Sequence, residues 1–531
     1  MSKGILRFSA LMLALCILLT GCSSPIEFLQ LVPGYSNTIP YEDMEYTRPD
    51  VDALEASVDR CIELSRTTDS VDTLMDAIYD FYDAYDAFST NASLACVRRD
   101  SDLSDAFWQR EYEFCTSREP TVDAALEKLF CALADSPLRK ELEQDSFFGE
   151  GFFDDYESDP VIDQTLVKLL EQEAELEGQY SDLSNRYAQN DYTLDDALYT
   201  QMAELFIELV KVRQAMAEYL GYPDYPTLAY DMYYYRDYTP EQAAAYARKI
   251  SELLYEPYVQ QDSDVREAVY AYCSERETFR SCKQAAYRMG GTIRSAFIHM
   301  DTFGLYDIWH SENKLDSSYE TYIWNYYAPF VFMNPYLDQT DQLSLAHEFG
   351  HYTADFTCDG TFCGIDVAEF HSTGMEHLFL CYGKNTELLT RYKLLDDLCV
   401  YMEQSAYALF EHQVYALTPQ ELTVPNVLSI FEATGKQFGF DRKNWDPREY
   451  VTVLHFFTDP LYTISYVVSN DLAMQVYQME QAKPGTGLAL YEQTLTSQDT
   501  YILTFAETWG LQSPFSDSRL QEVAKLFQSV A

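Results

Sequence analysis

Apolar residues recur three and four positions apart along most of the chain, which is the spacing of amphipathic helices. In the first part of the chain this pattern predicts helices over residues 51–64 and 71–88, each with an acidic outer face. A longer helical pair is predicted over 161–219, and helix predominates again from residue 340 to 530. The apolar stripes of that pair contain Leu166, Leu169, Leu170 and Leu176 on one helix and Leu205, Leu209, Val212 and Met216 on the other.

Turn and cap signals divide the helical pattern into elements. Residues 221–225, Gly-Tyr-Pro-Asp-Tyr, stop one helix, and Thr239 before a proline caps the next, which is predicted to run through Leu254. A Gly-Gly pair at 290–291 marks a further break. Residues 329–333, Pro-Phe-Val-Phe-Met, are typical of a buried strand. The sequence therefore predicts a mostly α fold with a small β element.

Size, charge and aromatic content narrow the class of protein. With 531 residues the chain exceeds what one hydrophobic core supports, so two or more lobes are expected. The formal net charge of −50 repels nucleic acid, and we exclude nucleic-acid binding. The 44 tyrosines suit a groove that grips peptide, and equally suit compositional drift in an acidic helical protein.

The N-terminus has the features of a secretory signal. A short basic segment precedes an apolar stretch at 11–19 that is too short to span a bilayer comfortably, and it ends in Leu-Thr-Gly-Cys22. This ending resembles a bacterial lipobox, which predicts a signal peptide over 1–21 and lipidation of Cys22. A proline-containing tether follows over 22–45. We expect a lipid anchor on the extracytoplasmic face of a bacterial cell membrane; the alternative is an ordinary signal with an incidental cysteine.

The cysteine count is compatible with disulfides. Of the twelve cysteines, Cys16 would leave with the signal and Cys22 would carry lipid, which leaves ten. An even number outside the cell permits disulfides, but their pairing cannot be read from the sequence. Because the chain contains no Cys-x-x-Cys pair, a structural zinc ribbon is not predicted.

The strongest chemical signal is His347-Glu348-Phe-Gly-His351. On a helix, positions i and i+4 share a face, so both imidazoles can bind one metal ion, and the pattern predicts one Zn²⁺ per chain. Glu348 is offset around the helix, where its carboxylate can act as general base toward a water molecule. The alternative, two surface histidines, is opposed by the largely apolar residues 343–346.

A third metal ligand is expected on a following helix. Glu369 lies 18 residues after His351, a distance that allows a turn and a return helix. Glu376, seven residues further, falls on the same helical face, and it is either a carboxylate that orients a histidine or a helix-surface acid. The competing candidates for the third ligand are His371, His377 and Asp366.

A second group of candidates lies near the C-terminus. His455 is followed by Tyr462 and Tyr466, which stand at i and i+4 and so can face one cavity. Imidazole and phenol groups can stabilise the oxyanion that develops when a peptide carbonyl is attacked. The alternative is that these tyrosines are ordinary core aromatics.

Taken in order, these residues resemble the oligoendopeptidase F and thimet oligopeptidase family of zinc metallopeptidases. The resemblance covers residues 200–531. It is carried by 208–213, 217–222, 236–241, 329–334, 344–351, the Glu369-x-x-Ser-Thr-x-x-Glu376 segment, 455–466 and 510–514. Two departures are the short gap between His351 and Glu369, where Cys358 and Cys363 are candidates for a bridge, and an Asp-Pro pair before the tyrosines.

The resemblance implies a site and a fold. His347, His351 and Glu369 would bind zinc, and Glu348 would be the general base. His455 and Tyr466, with Tyr462, would stabilise the transition state. The implied fold has two helical lobes flanking a deep substrate channel, with a small β-sheet beside the zinc site, in a monomer. We divide the chain into an N-terminal helical lobe over 46–200 and a catalytic region over 201–531.

These observations favour a zinc-dependent endopeptidase that hydrolyses short peptides at the outer cell surface. One alternative is a zinc carboxypeptidase-like exopeptidase, which would need a cationic residue for the terminal carboxylate; no motif identifies one. The other is a non-catalytic peptide-binding lipoprotein. Glu348 opposes it, because a protein that only binds peptide has no use for a base beside the metal.

Overall fold

The protein is seen in a computed structural model. The described residues are 38–145, 147–153, 156, 164–190, 192–261, 264–358, 364–441, 445–497 and 499–528. The predicted signal peptide, Cys22 and the first part of the tether therefore lie outside the described residues.

The helices and strands follow one another in this order. The first part of the chain forms α1 Val51–Thr67, α2 Val71–Ser101, α3 Ala106–Ala134, α4 Arg139–Leu142, α5 Gln164–Gln189, α6 Asp196–Leu220, α7 Tyr225–Met232, α8 Pro240–Val259, α9 Asp264–Val269, α10 Glu275–Met289 and α11 Gly291–Phe303. The strands are β1 Tyr306–Asp307, β2 Ser318–Ile323 and β3 Ala328–Met333. The rest forms α12 Asp341–Cys358, α13 Ile365–Tyr382, α14 Glu387–Cys399, α15 Ser405–Tyr415, α16 Val424–Gln437, α17 His455–Thr458, α18 Ile464–Ala482, α19 Thr486–Thr494, α20 Ile502–Thr508 and α21 Asp517–Gln528, with a π-helical segment at Val400–Gln404.

The predominance of helix and the small sheet confirm the predicted fold class. The chain divides into two compact units that alternate along the sequence. The first comprises the described parts of 1–161, 286–337 and 352–361, and the second those of 162–285, 338–351 and 362–531. The division of the linear chain into 46–200 and 201–531 stays a prediction.

The first unit has its own apolar core. Helices α1, α2 and α3 pack together, and side chains of Asp50, Ser70 and Asp105 cap their N-termini. The core contains buried residues such as Leu54, Val58, Leu74, Ile78, Phe81, Val122 and Leu129. The helices predicted at 51–64 and 71–88 are confirmed, although α2 continues to Ser101.

The sheet belongs to the first unit and confirms the predicted strand. Its strand order is β1-β3-β2, with β3 parallel to β1 and antiparallel to β2. Every residue of β3 is buried, as expected for a continuous apolar strand at the centre of a sheet. Along the chain, β3 ends eight residues before the helix that carries the His-Glu-x-x-His pattern begins.

In the second unit, α5 and α6 form the predicted helical pair. The stripe on α6 is buried as predicted. The predicted stripe on α5 is wrong as a buried face, because Leu170 is 43% exposed and the other three leucines are only partly buried. Burial on α5 instead falls on Tyr180 and Leu183. At α8, Thr239 forms the expected cap, and the helix continues to Val259.

The centre of the second unit is a packed pair of helices, α13 and α18. Almost all of α13 from Asp366 to Leu380 is buried, and so is most of α18. A helix covered on all sides can hold polar side chains only where partners satisfy them, so the acidic residues of α13 need specific contacts. Within the described ranges, no helix has the length and apolar character needed to cross a bilayer.

The thiols of Cys61, Cys96, Cys115, Cys273, Cys282, Cys381 and Cys399 are free. Burial raises the pKa of Cys282 to about 12, which keeps this thiol protonated. Cys363 lies outside the described residues, so its bridge to Cys358 stays a prediction.

Candidate active site

Close packing of α12 against α13 brings the predicted metal ligands together. The contact depends on Gly350 within the His-Glu-x-x-His pattern. A Cβ atom at Gly350 would lie 2.6 Å from both the His371 carbonyl oxygen and the Ser372 Cα atom. The missing side chain therefore allows the two helix backbones to approach, and this sets the carboxylate of Glu369 on α13 opposite the imidazoles on α12.

His347, His351 and Glu369 form a candidate metal site. One ligand atom from each of the three side chains lies within 4.8 Å of the others. The Oε2 atom of Glu369 is 3.4 Å from Nε2 of His347 and 3.9 Å from Nε2 of His351. Two imidazoles and a carboxylate are a common donor set for catalytic zinc, and three protein ligands leave a fourth position open. The residues present therefore fit the metal that the sequence predicted.

Glu376 orients His347, which settles the open question of its role. Its Oε1 atom lies 2.9 Å from Nδ1 of His347. This contact places a proton of His347 on Nδ1, so Nε2 is the ring nitrogen that faces Glu369 and the candidate metal position. Glu376 is buried, so the alternative of a helix-surface acid is wrong.

A buried lysine holds Glu376 in turn. The Nζ atom of Lys393, on α14, is 3.0 Å from Oε2 of Glu376 and 3.0 Å from Oδ1 of Asp397. Burial alone would lower the pKa of Lys393, but these two carboxylates raise it well above its usual value. The cation is therefore charged at all ordinary pH values, and it compensates two buried negative charges.

Glu369 is held by hydroxyl groups as well as by the histidines. Its Oε2 atom accepts a hydrogen bond from Ser372, at 2.9 Å, and its Oε1 atom accepts one from Tyr462, at 2.8 Å. Burial raises the pKa of Glu369, but the interactions with His347, His351 and Tyr462 outweigh it and lower the pKa to about 2. Glu369 is therefore a carboxylate with a fixed orientation, as a metal ligand requires.

The two histidines differ electrostatically in the metal-free protein. Burial lowers the pKa of both, and for His351 it remains the dominant effect, so that the pKa falls to about 4. For His347, hydrogen bonds to Glu369 and Glu376 outweigh burial and raise the pKa. A bound cation would replace the proton on the Nε2 atom of His347, so metal binding at this site is expected to release a proton.

Glu348 lies buried beside the ligand cluster. Burial is the main cause that raises its pKa to about 7, and the nearby charges of Glu369 and Glu376 add to this, while His347 opposes it. A carboxyl group with a pKa near neutrality is suited to accept and then return a proton. The geometry and the electrostatics are both consistent with the general base that the sequence predicted.

The C-terminal candidates form one cluster. The rings of His455 and Tyr462 stack with centroids 5.0 Å apart and planes 4° apart. The Tyr466 hydroxyl lies 3.5 Å from Nε2 of His455. Burial raises the pKa of both tyrosines, so their hydroxyls keep their protons and remain hydrogen-bond donors. The contact between Tyr462 and Glu369 joins this cluster to the candidate metal site.

The three rival ligands have other partners. The ring of His371 makes edge-to-face contacts with the rings of Tyr491 and Phe505. His377 lies 3.5 Å from Asp397, and Asp366 accepts a hydrogen bond from the hydroxyl of Tyr238 at 2.9 Å. Within the described residues, the group that has metal-ligand geometry is the one containing His347, His351 and Glu369.

Sequence reasoning missed several residues that support the site. Lys393 was one, although its i, i+4 spacing to Asp397 was a weak local signal. Glu411, Arg213 and Arg236 were others. The two arginines fall in segments that carry the family resemblance, but the sequence assigned them no role, and nothing local marks Glu411. The backbone groups that they bind between Phe456 and Leu461 lie 50 to 244 residues away along the chain.

Comparisons with known proteins point to one family. Residues 41–160 match the family model described as "Peptidase M3 N-terminal domain". No curated protein matches the chain. This sequence stretch precedes the candidate site, so it is independent of the residues discussed above.

Solved structures match over nearly the whole chain. A protein assigned as an oligoendopeptidase F aligns with a TM-score of 0.78 and 22% identity, over 93% of this chain and 98% of that one. PZ peptidase A aligns with a TM-score of 0.78 and 21% identity, over 92% and 99%. A protein from Bacillus anthracis assigned as an oligoendopeptidase F aligns with a TM-score of 0.74 and 20% identity, over 93% and 98%.

The chain carries a peptidase M3 N-terminal domain and has the oligoendopeptidase F fold. The family resemblance that the sequence indicated is thereby confirmed. Both findings agree with the metallo-oligopeptidase that the sequence predicted.

Proposed function

We propose that the protein is a peptidase of the M3 family, a zinc-dependent endopeptidase that hydrolyses internal bonds of short peptides at the outer surface of a bacterial membrane. The observation that carries the proposal is the meeting of His347, His351 and Glu369 within 4.8 Å, with buried Glu348 beside them. Zinc bound by these three ligands would supply Lewis acidity, which lowers the pKa of a water molecule and polarises the substrate carbonyl.

The protein's own residues would then carry the reaction. The Glu348 carboxylate takes a proton from a water molecule, whose oxygen adds to the peptide carbonyl carbon. His455 and Tyr466 donate hydrogen bonds to the carbonyl oxygen as it gains negative charge. Glu348 returns its proton to the amide nitrogen, the carbon–nitrogen bond breaks, and a new carboxylate and a new amine leave.

The supporting contacts would prepare this site before substrate binds. Glu376 fixes the ring of His347, and Ser372 with Tyr462 fixes the carboxylate of Glu369. Groups fixed in advance need no reorganisation during the reaction, which makes their electrostatic contribution larger. The fixed orientation of the Glu369 carboxylate is expected to contribute most to this preorganisation, because its Oε2 atom is the candidate metal ligand.

A comparison of peptide lengths tests the proposal. The purified protein is incubated with quenched fluorogenic peptides of graded length, with and without 1,10-phenanthroline, and the products are identified by mass spectrometry. Internal cleavage that the chelator abolishes and added Zn²⁺ restores is the expected result. Removal of terminal residues alone would favour the exopeptidase. Peptide binding without hydrolysis by the zinc-loaded protein would favour the binding lipoprotein.

The Glu348→Gln variant tests the role of the base. Glutamine has nearly the same shape but cannot accept the proton, so we expect kcat to fall by a factor of at least about 10³ while zinc stoichiometry stays at one per chain. Hydrolysis at the wild-type rate by the zinc-loaded variant would refute the mechanism.

The cellular location rests on the N-terminal sequence. Metabolic labelling with a palmitate analogue tests it, since the wild-type protein should incorporate the label and Cys22→Ala should not. Labelling of both proteins, or of neither, would contradict the predicted lipid anchor.

A further inference from the structure

The segment that joins α17 to α18 contains a strained residue. Leu461 has φ of 68°, a left-handed conformation that non-glycine residues seldom adopt. Leu461 directly precedes Tyr462, whose hydroxyl binds Glu369. The backbone conformation of Leu461 therefore determines the position of Tyr462. This strained conformation persists only if other contacts stabilise it.

Glu411 holds one side of Leu461. It lies on α15, its side chain is fully buried, and its Oε1 atom accepts a hydrogen bond from the Leu461 N–H at 2.8 Å. A buried carboxyl group is costly to retain, and this one has a single specific contact to the backbone of the segment. Burial raises the pKa of Glu411 to about 8, so it is largely uncharged near neutrality.

Arg236 holds the other side of Leu461. Its guanidinium donates to the Leu461 carbonyl at 3.0 Å, to the Tyr462 carbonyl at 3.4 Å and to the Ser465 hydroxyl at 2.7 Å. The guanidinium carbon lies 4.3 Å from the ring centres of both Tyr230 and Tyr234. These cation–π contacts help to hold the planar cation while its N–H groups bind the segment.

The same arginine connects the segment to the metal-ligand helix. Its Nε atom lies 3.7 Å from Oδ1 of Asp366, one turn before Glu369 on α13. Asp366 also accepts a hydrogen bond from Tyr238. Any shift of Arg236 would therefore change the position of Tyr462 relative to Glu369, to which the Tyr462 hydroxyl is hydrogen-bonded.

Two further groups hold the segment on its N-terminal side. Arg213 donates to the carbonyl oxygens of Phe456 at 3.1 Å and Phe457 at 2.5 Å. The Tyr234 hydroxyl donates to the carbonyl of Pro460 at 2.7 Å. Side chains thus bind backbone atoms of most residues from Phe456 to Tyr462, the segment that directly follows His455.

We propose that Glu411 and Arg236 are positioning residues for catalysis: by binding the N–H and the carbonyl of Leu461 they set Tyr462 and Tyr466 at the distances that the reaction requires. Neither residue touches substrate or metal, and both act through the tyrosines. The inference rests on the proposed peptidase function, and it concerns residues to which the sequence pattern assigns no role.

Two variants test the role of Glu411. Glu411→Leu removes the acceptor for the Leu461 N–H, and we expect kcat to fall about 10- to 100-fold with KM changed less than about threefold. Glu411→Gln keeps an acceptor oxygen and should retain kcat within about threefold. Both variants are loaded with zinc and their metal content is measured, so that a loss of metal is separated from a loss of positioning.

The matched control is Glu480→Leu. Glu480 is also a buried carboxyl group that accepts backbone N–H groups, those of Gly485 and Leu488, but it lies at the opposite end of α18. The control should lower thermal stability and leave kcat nearly unchanged. An equal loss of kcat in both leucine variants would overturn the proposal, because the effect would then be general destabilisation.

A double-mutant cycle separates positioning from structure. If Glu411 acts through Tyr466, the loss caused by Glu411→Leu should shrink below about threefold in a Tyr466→Phe background. Additive losses would overturn this route. If Glu411→Leu yields no folded protein, Arg236→Lys carries the same test, because lysine keeps the charge but lacks the planar guanidinium whose separate nitrogens reach the carbonyls and the hydroxyl of the segment.

A spectroscopic measurement keeps this inference separate from the proposed function. With 3-fluorotyrosine at position 462, the zinc-loaded wild type should give one narrow ¹⁹F resonance, and Glu411→Leu should broaden or shift it. If the wild type cleaves no peptide, the proposed function is refuted. The resonance would still show whether Glu411 holds Tyr462 in one position. An unchanged resonance together with unchanged kcat would overturn the inference.

Discussion

The replacement of Lys393 by methionine tests how the candidate metal site is supported. The side chain of Lys393 is 5% exposed, and it neutralises Glu376 and Asp397, whose side chains are 10% and 0% exposed. Methionine fills similar volume but leaves two buried carboxylates without their cation. Removal of one partner from a buried ion pair costs about 3–5 kcal/mol, so we expect a loss of stability in that range.

The same substitution should weaken metal binding. Glu376 fixes Nδ1 of His347, and Lys393 fixes Glu376, so the effect passes through two hydrogen bonds to the ligand. Loss of a partner that orients a metal ligand usually lowers metal affinity about 10- to 100-fold. Zinc affinity is measured by competition with a chromophoric chelator, and stability by urea unfolding of the metal-free protein.

The matched control is Lys314→Met in the first unit. Lys314 is also buried, with Nζ 2.9 Å from both Oδ1 of Asp307 and the carbonyl of Met333. We expect it to lose comparable stability but to keep zinc affinity. Unchanged zinc affinity in Lys393→Met, or equal losses in both variants, would refute the reasoning that the lysine supports the metal site specifically.

Three further predictions follow from the site. Gly350→Ala places a Cβ atom 2.6 Å from backbone atoms of α13, so we expect a loss of about 1–3 kcal/mol and weaker zinc binding, measured by urea unfolding and chelator competition. Glu411→Gln should remove a pH dependence of stability. Because the folded pKa of Glu411 is raised from 4.5 to about 8, its contribution is fully present below pH 4.5 and is lost as pH rises toward 8. The unfolding free energy of the variant, measured by urea titration, should therefore rise relative to wild type by up to about 1.4 kcal/mol per pH unit between pH 5 and 8, and parallel pH curves would contradict this. Tyr462→Phe should lower zinc affinity more than Tyr466→Phe does, whereas Tyr466→Phe should lower kcat more, and equal effects on both quantities would show that the hydroxyls are interchangeable.

The grouping of the candidate metal ligands was predictable because local geometry determines most of their arrangement. The i, i+4 spacing of His347 and His351 places both rings on one helix face, whatever surrounds the helix. Glu369 required only that the next helix return along the first. The strand at 329–333 and the cap at Thr239 were predictable for the same reason, since each depends on residues adjacent in sequence.

The support of the site could not be predicted, because it depends on contacts that are distant in sequence. Arg236 binds a carbonyl 225 residues away, and Arg213 binds one 243 residues away. Nothing in the residue type distinguishes these arginines from surface ones. The stripe on α5 failed for a related reason: periodicity shows which residues share a face, but the packing of other elements decides whether that face is covered.

The two tyrosines illustrate what the structure adds to a motif. The sequence contains 44 tyrosines, and its i, i+4 spacing does not distinguish the role of Tyr462 from that of Tyr466. In the structure, the Tyr462 hydroxyl donates to Oε1 of Glu369 at 2.8 Å, so its proton is already committed to a candidate metal ligand. The Tyr466 hydroxyl lies 3.5 Å from Nε2 of His455, a separation too long to compete with a charged oxygen. Tyr466 can therefore turn its proton toward the developing oxyanion at little cost, while Tyr462 would have to abandon a buried carboxylate to do the same.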